Sequence, residues 1–135
     1  MGRAVSRVLA VDPGQARLGV AVSDPTATVA RPLTTIAHTS RQKDAEAILV
    51  LAREQGADQI VVGVPFDMEG EVGHRARRSL RLVENLRKLS SLPVSTWDES
   101  GSTIAALHGR GPDPSLDARA AAIILQEYLD AQTRA

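Results

Sequence analysis

Four acidic residues stand where strands and a helix would present them. Asp12 closes an apolar run just before Pro13-Gly14, Asp98 and Glu99 close a second one, and Asp117 lies at the opening of a helical pattern. Carboxylate oxygens are what hard divalent cations bind, and Mg²⁺ is held by only one or two of them together with substrate phosphates. Two such ions about 3.5–4 Å apart clamp an in-line displacement at phosphorus, one activating the attacking water and the other stabilising the leaving oxygen. Each acid also has a plainer reading. An Asp before Pro-Gly forms turns, Asp117 after Ser115 complements a helix dipole, and Asp98-Glu99 could be a solvated loop. The metal chemistry requires three separate elements to converge on one edge.

The hydrophobic pattern supplies such elements. Arg7 to Val11 reads as a buried strand stopped by Asp12-Pro13-Gly14, Leu18 to Val22 as a second strand, and Leu33 to Ile36 as a weaker third, together an antiparallel meander. The period then shifts. Ala45, Ile48, Leu49 and Ala52 mark a helix over Arg41 to Gln55, capped by Thr39 or Ser40 and closed by Gly56. Gln59 to Val64 is continuously apolar, as in a strand buried on both faces. Ala76, Leu80, Val83 and Leu86 mark a second helix ending before Pro93. Val94 to Trp97 is a fifth strand, Thr103 to His108 a short helical stretch, Gly109 to Pro114 a loop, and Leu116 to Ala131 the last helix. The order β-β-β-α-β-α-β-α predicts an α/β fold: a five-stranded mixed sheet, three antiparallel strands then two parallel, with helices packed on it. That order fits the ribonuclease H-like architecture, with residues 1–135 as a single domain.

Composition narrows the chemistry. The 135 residues contain no cysteine, which excludes disulfides, thiolate metal sites and cysteine nucleophiles. No apolar run reaches the roughly 20 residues of a membrane span, and the run from Val8 to Val11 ends too soon for a signal peptide, so the expectation is a cytoplasmic protein without a membrane partner. Phe66, Trp97 and Tyr128 are the only aromatics, too few for a base-stacking platform. Acids and bases balance at 16 each, so nucleic acid would be held by a local patch or by metal ions. One patch lies in the second helix, where Arg77, Arg81 and Lys88 fall near one stripe. That stripe could track a phosphate backbone, or be a solvated face with Glu84 and Lys88 paired. His38, His74 and His108 lack metal-ligand spacing. Gly14 and Gly19 flank the first hairpin, where a missing Cβ permits close backbone approach, and Gly63 interrupts an apolar strand without an evident turn.

Four segments in order resemble the YqgF/RuvX family of ribonuclease H-like proteins, described as pre-16S rRNA nucleases or Holliday-junction resolvases. They are Leu9-Ala10-Val11-Asp12-Pro13-Gly14 with Arg17 to Asp24, Ile60 to Pro65 with Met68-Glu69-Gly70, Asp98-Glu99 with Ser102-Thr103, and Asp117 to Ala121 with Ile124 to Asp130. The resemblance covers nearly the whole chain. It implies cleavage of a nucleic-acid phosphodiester dependent on Mg²⁺ or Mn²⁺, with two ions. It carries the catalytic acids onto Asp12, Glu99 and Asp117, with Asp98 as an auxiliary ligand, and places Arg17, Ser102 and Thr103 along the site. The chain departs from the family's pattern at Ser100, where Arg is usual, at Gly101, where a large apolar residue is usual, and in a short loop before Asp117 that lacks Lys and offers Arg110 instead.

The leading expectation is therefore an endonuclease of structured nucleic acid, processing the 5′ end of pre-16S rRNA. The first alternative is a resolvase of four-way DNA junctions, which would need two symmetric cuts and hence a homodimer. Ser100 and the short loop motivate a second alternative, a nucleic-acid-binding module without catalysis. A sugar-kinase or actin-like phosphotransferase shares an Asp-x-Gly loop but needs a second domain, for which 135 residues leave no room.

Overall fold

A computed structural model describes residues 6–66, 73–99 and 113–134. Five strands, β1 (Val8–Pro13), β2 (Arg17–Ser23), β3 (Ala30–Ala37), β4 (Gln59–Val64) and β5 (Val94–Asp98), form one sheet in the order β3-β2-β1-β4-β5. Neighbours β1–β2 and β2–β3 are antiparallel, whereas β1–β4 and β4–β5 are parallel, which is the mixed sheet expected. Three helices complete the described fold: α1 (Arg41–Gln55), α2 (His74–Leu89) and α3 (Pro114–Arg134). The short helix expected over Thr103 to His108 lies outside the described residues.

Strand alternation splits the core in two. Leu9 and Val11 of β1, Val20 and Val22 of β2, and Ile60 and Val62 of β4 point to α1 and α2, whose Ile48, Leu82 and Leu86 cover them. Val8, Ala10, Ala21 and Val61 point the other way, onto Ala121, Ile124 and Leu125 of α3. The central strands thus read as unbroken apolar runs because both faces are covered.

Several boundaries follow from local chemistry. Ser40 caps α1, its hydroxyl accepting the Lys43 N–H at 3.1 Å, and Gly56 ends it in the left-handed conformation. α3 begins at Pro114, earlier than the hydrophobic period marks. Asp113 caps it, its Oδ1 accepting the Ser115 N–H at 3.0 Å, and proline is well suited to the first helical position. Pro114 therefore opens the helix instead of closing a loop.

Because β1, β3, β4 and β5 run the same way, their C-terminal ends share one edge of the sheet. Each helix runs back from that edge, so the N-termini of α1, α2 and α3 gather there as well.

Candidate active site

Asp12 lies inside β1, opposite Gly19 of β2, and is 3% exposed. Its place in the alternation after Val8 and Ala10 puts it on the α3 side. Glu99 follows β5 immediately. Its N–H donates to the Val64 carbonyl at 3.2 Å, continuing the parallel ladder by one residue, and it too is 3% exposed. The same alternation sets Glu99 with Trp97 on the α3 side, whereas exposed Asp98 falls to the side of Val94 and the α1–α2 layer. The two carboxyl groups of Asp12 and Glu99 meet at the sheet edge.

Glycine makes both approaches possible. A Cβ on Gly63 would lie 2.6 Å from Glu99 Oε2 and 2.7 Å from Ile124 Cδ1, so the bare backbone of β4 is the floor of the Glu99 pocket. This explains a glycine in the middle of an apolar strand. A Cβ on Gly19 would lie 1.9 Å from the Asp117 carbonyl oxygen and 2.9 Å from the Ala118 nitrogen. Only glycine lets the first turn of α3 sit directly on β2, and that contact brings Asp117 down beside the strand that pairs with Asp12.

Gly19→Ala therefore drives a methyl group into helix backbone that has no rotamer to escape with. We expect a loss of about 3 kcal/mol in urea unfolding, the upper end of ordinary overpacking. Gly73→Ala meets no atom within 4 Å and serves as the control, with a change under about 1 kcal/mol. Equal, small effects for the two variants would refute this account of Gly19.

Electrostatics distinguishes Glu99 from an ordinary surface acid. Burial first, then the adjacent Asp12 carboxyl, raise its pKa to about 10, against the weaker opposing pull of Arg75. Arg75, half exposed in the first turn of α2, brings Nη2 only to 3.8 Å from Glu99 Oε1. Apart from the neighbouring Asp12 carboxyl, no hydrogen-bonding group among the described residues reaches either Glu99 oxygen. Two buried carboxyl groups with no partner but each other at Glu99 are a poor arrangement by themselves, and a suitable one for a hard cation, which takes carboxylate oxygens. The donor set thus fits Mg²⁺ or Mn²⁺ at Asp12 and Glu99.

Asp117 stands apart from this pair in its contacts. Its Oδ2 accepts the Arg17 Nε–H at 2.6 Å, an ion pair between the first turn of α3 and the start of β2. Accordingly, no three His, Asp or Glu side chains stand together as a metal cluster among the described residues. Arg77 and Arg81 are exposed on α2, one half-turn and nearly two turns in from Arg75. Ser102, Thr103 and Arg110, with Ser100 and Gly101, lie outside the described residues. The contact of Arg75 with Glu99 was not foreseen; its only signal was membership in the basic opening of α2.

Residues 6–131 match the family described as RuvX: Holliday junction resolvase. A protein of Thermoanaerobacter pseudethanolicus named "Putative pre-16S rRNA nuclease" is 36% identical over 135 residues, covering 93% of this chain and 97% of its own. A Chloroflexus aurantiacus protein of the same name is 40% identical over 133 residues, covering 93% of this chain and 87% of its own. Among solved structures, Thermus thermophilus RuvC in complex with a Holliday junction substrate superposes with a TM-score of 0.60 over 95% of this chain and 96% of that one. At 20% identity that likeness concerns the fold, and it agrees with the ribonuclease H-like architecture expected from the element order. The match along nearly all of the sequence, over a sheet edge that brings Asp12 and Glu99 together, shows that this chain belongs to the RuvX family.

Proposed function

We propose that the chain is a metal-dependent endonuclease of structured nucleic acid, acting on the 5′ end of pre-16S rRNA. The observation that carries this reading is the meeting of two buried carboxyl groups, Asp12 and Glu99, at the edge where three helix N-termini converge. The name carried by the relatives supports the substrate. Asp12 and Glu99 would hold the ion and Asp117 would complete the acidic set, whereas Asp98, an auxiliary ligand by the family resemblance, falls on the other face of β5. When bound, such ions polarise a phosphoryl oxygen and activate a water for in-line attack.

The chain's own residues supply positioning. Ile124 and the backbone at Gly63 keep the Glu99 carboxyl out of bulk water. Arg17 holds Asp117 and presents a guanidinium suited to phosphate at the same edge. Arg77 and Arg81 extend positive charge from that edge along α2, where a phosphate backbone would release counterions. Ser102, Thr103 and Arg110 belong to the proposed substrate contacts through the family resemblance.

The test is side-by-side cleavage of precursor 16S rRNA and a synthetic four-way DNA junction by purified protein. We expect scission of the rRNA with Mg²⁺ or Mn²⁺, loss of it in EDTA, and recovery on adding the ion back in excess. Preferential symmetric cutting of the junction, by a protein whose solution mass is that of a dimer, would favour the resolvase reading carried by the family description. Tight binding with no cleavage across the metals would favour the inactive module.

A further inference from the structure

Arg75, the second residue of α2, has no part in the proposed metal site. Its position follows from the packing of its helix. Ala76, Ser79, Leu82, Val83 and Leu86 are the buried residues of α2, and the last three join the core on the α1–α2 face of the sheet. Glu99 lies on the other face, in step with Trp97. To bring Nη2 to 3.8 Å from Glu99 Oε1, the Arg75 side chain reaches across the C-terminal ends of β4 and β5. It lies over the edge itself, where a substrate must arrive.

The contact is not a closed ion pair. A guanidinium placed to hold a carboxylate approaches to about 2.7–2.9 Å, and Arg17 meets Asp117 at 2.6 Å. At 3.8 Å, Arg75 stands beyond hydrogen-bond range of Glu99. Its side chain is 50% exposed, whereas that of Glu99 is 1% exposed, so one end of the contact is sealed and the other open to water. Burial and Asp12 outweigh Arg75 in setting the Glu99 pKa, so satisfying that carboxyl is not what the guanidinium achieves. The first turn of α2 holds no acidic side chain to occupy it, and the helix start adds to the positive potential there. A guanidinium beside a carboxyl pair suited to hard cations matches a phosphodiester, which offers one oxygen to an ion and another to a charged donor.

We propose that Arg75 is a catalytic residue, its guanidinium donating to a non-bridging oxygen of the scissile phosphate and offsetting the charge that builds there during attack. The assignment rests on the proposed nuclease reading. Arginine keeps its protons throughout, so Arg75 is a fixed donor and not a general acid. Its charge also opposes a cation at the carboxyl pair. That sign separates two roles. A residue that only held Glu99 in place would weaken metal binding when removed, whereas one that serves the phosphate would not.

The experiment compares wild type, Arg75→Gln and Arg75→Lys in steady-state cleavage of precursor rRNA with Mg²⁺ or Mn²⁺, and in thermal melts with and without the ions. We expect kcat to fall roughly 10²-fold in Arg75→Gln with KM within about threefold. Arg75→Lys should recover part of that loss but not all, since lysine lacks the planar fork. The rise in melting temperature that the ions give should be at least as large in Arg75→Gln as in wild type. An undiminished kcat in a wild type and variant that both cleave overturns the role of Arg75 and leaves the nuclease reading intact. So does a raised KM with unchanged kcat, which marks a contact to a flanking phosphate. A smaller ion-induced rise in Arg75→Gln overturns it too, by making Arg75 a support for Glu99. A wild type that cleaves no nucleic acid with either ion overturns the nuclease reading, and the role of Arg75 with it.

Discussion

Asp12→Asn is expected to abolish metal-dependent cleavage, by roughly 10³-fold or more, the scale seen when one preorganised group that stabilises transition-state charge is removed. The amide is nearly isosteric with the carboxyl, and Asn forms turns as readily as Asp. The backbone pairing of residue 12 with Gly19 does not depend on the side chain. A structural role for Asp12 at the Pro13-Gly14 reversal would therefore survive the substitution, whereas a ligand role would not, since a neutral amide is a much weaker donor to a hard cation. The variant should also unfold no more easily than wild type in the absence of metal, because it removes one of two carboxyl groups packed together out of water. Circular dichroism and urea unfolding establish the fold; gel assays of labelled precursor rRNA establish the loss. Undiminished turnover in Asp12→Asn would remove the carboxylate pair from the chemistry.

The parts of this site that were legible in the sequence are those governed by short-range rules. α1 and β4 have the bounds expected of them because Ser40 and Gly56 punctuate the helix and an unbroken apolar run marks a strand covered on both faces. β3 extends beyond the Leu33 to Ile36 core that hydropathy reveals, to Ala30–Ala37. As an edge strand it buries little, tolerates Pro32, and has a register shift opposite Val20 and Ala21, so its sequence carries a faint period. α2 begins at His74 with no side-chain cap and no acid in its first turn, leaving nothing local to announce it.

The choice between Asp98 and Glu99 was open to strand alternation alone, since Glu99 falls in step with Trp97, which packs towards α3. What no local rule contains is the partner of each charge. Arg17 meets Asp117 across 100 residues of sequence separation, and Arg75 meets Glu99 only because β4 and β5 are parallel neighbours whose ends lie beside the start of α2. Those pairings depend on sheet order, which the sequence pattern constrains only through the handedness of crossovers.

Metal-free protein should lose stability as pH rises from about 5 to 9, and Glu99→Gln should largely remove that dependence. In the folded chain the Glu99 carboxyl stays protonated up to about 10, chiefly because of burial, with the Asp12 carboxyl adding to it; its ordinary value is 4.5. Between those two values the folded state holds a proton that the unfolded state has released. Stability is then complete below the ordinary carboxyl range and is drawn down as pH climbs toward the folded-state value, by at most about 1.4 kcal/mol per pH unit for this one group. In a domain of this size each kcal/mol corresponds to a few degrees of melting temperature. The amide of Glu99→Gln carries no charge to desolvate, so at pH 8 the variant should melt several degrees above wild type while being inactive. Asp12→Asn should end the decline at a lower pH without abolishing it, because burial outranks the neighbouring carboxyl among the causes of the raised Glu99 pKa. Adding Mg²⁺ or Mn²⁺ at pH 8 should raise the melting temperature of wild type and leave Glu99→Gln nearly unchanged, and the gain should shrink as pH falls, since Glu99 must give up its proton for a cation to bind. Calorimetric melts of the three proteins over this pH range, with and without the ions, measure every part of this. A wild-type profile parallel to that of Glu99→Gln would mean that Glu99 is not held protonated at the sheet edge, and the case for a carboxyl pair kept ready for a cation would fail with it.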